Sequence, residues 1–229
     1  MHRKTIVGWR GIEMEWYVIL LKLLEGLGVS LSIFLITLLF SLPLGLFLSF
    51  VRMSRNPILQ NATKVYISIM RGTPLMLQLF VVYYGPYYIF KIQLHPGYRM
   101  MAVYIGFVLN YAGYFAEIYR SGIQAMDKGQ LEAAEILGYS SRQSFLRIIF
   151  PQVWKNILPS ITNEVITLVK DTSLAFSISV MEMFTTAKAI SSSQSSMLPL
   201  IMAGILYYIF NFIVAFLMER FEKKMDYYS

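Results

Sequence analysis

The chain of 229 residues contains no cysteine and only two histidines, His2 and His95. A disulfide framework and thiolate chemistry are therefore excluded, and neither histidine sits in a metal-ligand spacing such as HExxH, so no metal site is expected. The sequence also lacks a GxxxxGK[ST] phosphate loop and a GxSxG nucleophile elbow. Without them the chain has no P-loop nucleotide site and no hydrolase serine, and no catalytic residue is expected. Charge is scarce too: Asp, Glu, Lys and Arg make up 14% of the residues. The net charge of +7 comes from Lys and Arg at the ends of apolar runs, which suits membrane flanks and argues against a nucleic-acid partner. The start, MHRKTIVGWRGIEMEWYV, is basic but has no short apolar core ending in a small-residue cleavage site, so no cleaved signal peptide is expected. Translation from Met1 and from Met14 both fit.

What is abundant is apolar: 56% of the residues are hydrophobic, too many for an ordinary soluble domain. The fold class expected is an all-α integral membrane protein. A helix crossing the hydrocarbon core needs about 20 mostly apolar residues. Five stretches qualify: 27–51, 72–90, 100–116, 157–181 and 196–218. The fourth is interrupted by Glu164, Lys170 and Asp171. Lys and Arg favour the cytoplasmic side of connections. They gather after the first span (Arg52, Arg55, Lys64, Arg71), after the third (Arg120, Lys128, Arg142, Arg147, Lys155) and at the end (Arg220, Lys223, Lys224). This predicts residues 1–22 as an extracytoplasmic segment, 23–220 as the membrane domain and 221–229 as a cytoplasmic tail.

The connection at about 121–156 then lies in the cytoplasm and has structure of its own. Asp127 with Gln130, and Ser140 with Gln143, are capping-box spacings, and Gly138 between them suits the left-handed close of a helix. A helix, a glycine turn and a second helix are predicted. On the first helix Leu131, Ala134, Glu135 and Gly138 share a face, with Glu132 and Ala133 elsewhere.

An ionisable residue inside a span marks a partner or a watered path. Glu164, Thr167 and Asp171 fall at i, i+3 and i+7, on one helical face, with Asn163 and Ser173 nearby. A carboxylate there would receive an ammonium, either the α-amino group of any amino acid or a cationic side chain. The competing readings are that Glu164 pairs with Lys170, or that these polar groups join helices within an assembly. Asn110 and Glu117 share a face of the third span, where Glu117 reads as a snorkelling end charge.

The run EAAEILGYSSRQSFLRIIFPQVWKNILP resembles the EAA loop of bacterial ABC importer membrane subunits. RGTPLMLQLF at 71–80, AEIYRSGI at 116–123 and KDTSLAFSI at 170–178 resemble the polar amino acid permease branch of those importers. The resemblance implies a type I ABC importer permease fold of five transmembrane helices plus a cytoplasmic coupling helix. It implies that Glu132, Ala133, Ala134 and Gly138 engage a separate ABC ATPase subunit, present in two copies, which binds the ATP and Mg; no cofactor is expected in this chain. It further implies a second permease subunit, identical or related, an extracytoplasmic amino acid binding protein, and a polar, including basic, amino acid as substrate. From residues alone a self-sufficient secondary transporter or channel is the rival, although it would ordinarily show more spans and internal repeats.

Overall fold

The computed structural model describes residues 15–225, and these are helical almost throughout. Met1, Met14, most of the N-terminal segment and the last four residues, for which the sequence carries expectations, lie outside the described residues. Among the described residues nine α-helices follow in order: α1 Trp16–Arg52, α2 Pro57–Gly72, α3 Leu75–Phe90, α4 Tyr98–Gln124, α5 Lys128–Ile136, α6 Ser141–Ser144, α7 Phe150–Asp171, α8 Met183–Gln194 and α9 Leu198–Met225. A π-helical turn, Phe145–Ile149, joins α6 to α7, and a 3-10 segment, Thr172–Ile178, continues α7.

Helix α4 is the hub, and glycine lets each neighbour approach it. A Cβ on Gly106 would stand 2.7 Å from Leu79 of α3, and one on Gly113 2.9 Å from Met70 of α2. A Cβ on Gly122 would stand 2.2 Å from Ile157 of α7. From the other side, a Cβ on Gly45 of α1 would lie 2.7 Å from Cβ of Phe115 and 3.1 Å from the carbonyl oxygen of Ala112. Small residues at crossings suit a bilayer, where apolar area alone does not drive helices together and close packing must. Phe107, Tyr111, Phe115, Leu79, Val153 and Leu168 fill the core around this hub. A second, smaller core lies where the start of α1 meets α8 and α9, through Ile19, Leu23, Met183, Ala187 and Ala203. The outward faces of α1 and α9 remain apolar, with Leu35, Leu39, Phe47, Ile205 and Phe212 exposed, as lipid contact requires.

Several elements differ from expectation. The first helix begins at Trp16, before the expected start at 27. The second stretch is the second arm of a broken helix, α2 and α3, bent by 112° at the break. The sequence predicts a basic connection where α2 stands; Asn56 caps this helix by accepting from the Ile58 and Leu59 amides at 3.0 and 3.5 Å, and Pro57 pre-sets its first turn. Helix α8 was also not anticipated. Among the described residues α1, α4 and α9 are long and apolar enough to cross a membrane singly, and the α2–α3 pair is a fourth if counted as one span. Helix α7, with Lys155, Glu164, Lys170 and Asp171, is too polar to be counted this way.

Candidate functional site

Polar residues on α7 need a place to face, and the structure provides one. Glu164, Thr167 and Asp171 line a cavity of about 450 Å³ whose other walls are Thr73 to Met76 at the α2–α3 break, Asn110, Tyr111 and Tyr114 on α4, and Leu174. All three are half-buried. Tyr111, only 2% exposed, donates from its hydroxyl to Oδ2 of Asp171 at 2.8 Å. Arg71, at the end of α2, lies over the Tyr114 ring at 5.6 Å and is near enough to act on Glu164 electrostatically. Glu117 pairs with Arg120, and no salt bridge among the described residues engages Glu164 or Asp171. Glu164 and Asp171 therefore present two carboxylates to the cavity without an ion-pair partner, an arrangement suited to an ammonium or guanidinium. The reading that pairs Glu164 with Lys170 has no support, since Lys170 is exposed and outside the cavity.

Two of the expected site residues fall elsewhere. Asn163 precedes Glu164 by one position, about 100° around the helix, and is exposed outside the cavity. Ser173 lies in the 3-10 segment, turned away from the face of Asp171, and its hydroxyl donates to the Lys170 carbonyl at 2.7 Å. Sequence reading also missed the walls supplied by Thr73 to Met76, Tyr111 and Tyr114. The chain breaks at RGTP, and Arg71 beside the break lies over the ring of Tyr114, which lines the cavity.

The break itself has a chemical cause. In a continuous helix the carbonyl of Met70 would accept from the amide of residue 74, but residue 74 is proline and has no N–H. Asn110 Nδ2 and Gln78 Nε2 each donate to that carbonyl at 3.0 Å. The two hydrogens of Gln78 Nε2 are shared among that carbonyl, the carbonyl of Thr73 at 3.1 Å and its hydroxyl at 2.9 Å, while Gln78 Oε1 accepts from Asn110 Nδ2 at 3.0 Å. Irregular backbone at membrane depth is tolerated where protein satisfies it and it lines a cavity, and both conditions are met here.

Residues 41–227 match the family described as binding-protein-dependent transport system inner membrane component. The chain belongs to this family. It is 35% identical over 205 residues to the probable amino-acid permease protein YxeN of Bacillus subtilis, covering 89% of this chain and 91% of that protein. It is 43% identical over 189 residues to the L-cystine transport system permease protein TcyL of the same organism, covering 80% and 78%. Among solved structures it resembles a chain from the crystal structure of an amino acid ABC transporter with histidines, with a TM-score of 0.81, 28% identity and coverage of 92% and 99%. A chain of the inward-facing MetNI methionine ABC transporter, 15% identical with a TM-score of 0.68, shares the fold.

In this permease the segment between α4 and α7 is the helix, glycine turn and helix that the sequence predicts. Asp127 caps α5, its carboxylate accepting from the Gly129 amide at 2.8 Å. The first capping box does not form, because the Gln130 side chain turns instead to accept from Gln152 Nε2 at 2.8 Å. The second does: Ser140 Oγ accepts from the Gln143 amide at 3.4 Å and Gln143 Oε1 accepts from the Ser140 amide at 2.9 Å. Gly138 has φ +81, and the amides of Gly138 and Tyr139 donate to Glu135 and Ala134 at 2.9 and 3.0 Å, closing α5 as a Schellman turn. Glu132, Ala133 and Glu135 are exposed, together with Ile136 and Leu137. Ala134 is 2% exposed and faces inward, so it packs the hairpin and offers no surface. The side chain of Leu131 lies outside the described residues. The second helix passes through the π turn into α7, so the segment is continuous with the helix that carries Glu164.

Proposed function

We propose that this permease is the membrane subunit of an ATP-driven importer of polar amino acids, with the cavity beside α7 as its substrate site. The observation that carries the reading is the pair of carboxylates, Glu164 and Asp171, facing that cavity without a salt-bridge partner. A charged group in a span is costly unless it serves a partner or a path. Related permeases are named for glutamine, cystine and arginine. Those three share the α-ammonium, which one carboxylate can receive, while the other is available to a cationic side chain. Thr167 adds a neutral group on the same wall.

Energy comes from outside the chain. The exposed Glu132 and Ala133 and the turn at Gly138 form the surface offered to an ABC ATPase, two copies of which bind ATP and Mg. A second permease subunit completes the path, and an amino acid binding protein delivers substrate from the extracytoplasmic side. The N-terminus faces outward and the C-terminus the cytoplasm, following the distribution of Lys and Arg. Motion of the α5–α6 hairpin reaches the substrate because the same helical rod continues into α7.

The test is uptake into vesicles containing the complete complex, with arginine, histidine, glutamine and glutamate as competitors. Glu164→Gln is expected to lower uptake by about tenfold or more, the loss of one charge-assisted hydrogen bond, while ATP hydrolysis persists. Uptake unchanged by this substitution, or uptake that proceeds without ATP, overturns the reading.

A further inference from the structure

Asn110 is a buried amide, 4% exposed, in the wall of the cavity. Its orientation is decided by its partners. The Met70 oxygen is a backbone carbonyl and only accepts, so the atom 3.0 Å from it must be the Asn110 nitrogen. The same logic orients Gln78: two backbone carbonyls, Met70 and Thr73, hold its nitrogen and leave Oε1 to accept from Asn110. Both hydrogens of the Asn110 amide are thus engaged, and its Oδ1 accepts from no described residue.

We infer that Asn110 is a specificity-determining residue of the transport site: its Oδ1, held in place by the elbow between α2 and α3, is an acceptor for an N–H of the bound amino acid. The inference rests on the proposed substrate cavity and deepens it. Glu164 and Asp171 supply negative charge from the α7 wall, and Asn110 adds a neutral acceptor from the α4 wall. A cationic or amide-bearing substrate side chain brings several N–H groups and needs such an acceptor; an aliphatic one brings none. The acceptor cannot rotate away, because turning the amide would set its oxygen against the Met70 carbonyl and leave that carbonyl short of a donor.

The experiment compares uptake of arginine, glutamine and leucine by reconstituted complexes carrying Asn110→Leu, Asn110→Ser, Gln78→Met or Glu164→Gln, with KM and maximal rate measured for each. Gln78→Met weakens the elbow but leaves the Asn110 oxygen and its link to Met70. Asn110→Leu and Asn110→Ser are expected to change the preference for arginine and glutamine over leucine by about tenfold, mainly through KM, while Gln78→Met lowers rate and leaves the preference unchanged. If the Asn110 variants lower rate with preference unchanged, Asn110 is only a clamp and the inference fails. It also fails if no Asn110 variant that assembles alters transport, or if neither assembles while Gln78→Met shifts the preference as predicted for them. Normal uptake by Glu164→Gln would instead overturn the cavity itself, whatever the Asn110 variants do.

Discussion

Gly138 is the point at which local backbone geometry is expected to control coupling. Its φ of +81 lies in the left-handed region, and a Cβ there would meet nothing within 4 Å. Substitution therefore acts through the backbone and not through crowding. An L-residue in that conformation costs roughly 1–2 kcal/mol, with alanine near the lower end and a β-branched residue at the upper end or beyond. The alternative is to unwind the last turn of α5, which forfeits the hydrogen bonds of Gly138 and Tyr139 to Glu135 and Ala134. At about 2 kcal/mol, Gly138→Val shifts the balance between closed and frayed hairpin by about 30-fold. At about 1 kcal/mol, Gly138→Ala shifts it by about fivefold. Asparagine tolerates the conformation, so Gly138→Asn is expected to stay close to the parent. The assay is amino acid transported per ATP hydrolysed in vesicles with the ATPase present. Coupling should fall in the order Asn, Ala, Val. Normal coupling in Gly138→Val, or equal damage from Asn and Val, refutes the argument.

Two further predictions concern the packing that holds the site. Gly45→Ala places a methyl 2.7 Å from Phe115 Cβ, and is expected to lower stability by about 1–3 kcal/mol in detergent thermal unfolding. Gly204, in the interior of α9 with open space around it, serves as the comparison, and a Gly45→Ala protein as stable as Gly204→Ala would contradict the close approach of α1 and α4. Glu182 is fully buried at the start of α8, where it accepts from the amides of Phe184 and Thr185 at 2.7 Å and from the Tyr207 hydroxyl at 2.9 Å. Glu182→Ala removes a helix cap and strands those donors, a loss of about 2 kcal/mol or more; the same measurement showing less than about 0.5 kcal/mol would mean that α8 does not depend on it.

How far the sequence reaches depends on whether the signal is local. Capping residues, a glycine that must adopt positive φ and a proline that interrupts a helix act within a few positions, and so Ser140 with Gln143, Gly138 and the RGTP break are all legible in the chain. Helical periodicity is equally local, and it put Glu164, Thr167 and Asp171 on one face before any neighbour was known. It had less purchase on Ser173, because the chain tightens from α to 3-10 at Thr172 and the angular spacing changes there. The Asp127 box failed for a different reason: Gln130 had a partner 22 positions away, in Gln152.

By itself, the sequence determined an apolar helical membrane protein with a polar hairpin and a carboxylate-bearing helix, because composition and period act along the chain. Only the tertiary structure decided what faces those carboxylates. Tyr111 reaches Asp171 across 60 positions, and Asn110 reaches back 40 positions to the carbonyl that Pro74 leaves without a donor. Such contacts depend on close helix crossings at Gly45, Gly106 and Gly113, and the absence of a side chain at those points says nothing about which neighbour will use the space. The bend of α2 against α3, opened at Pro74 and held by hydrogen bonds from Asn110 of α4 and Gln78 of α3, is what turns a polar stripe into a cavity.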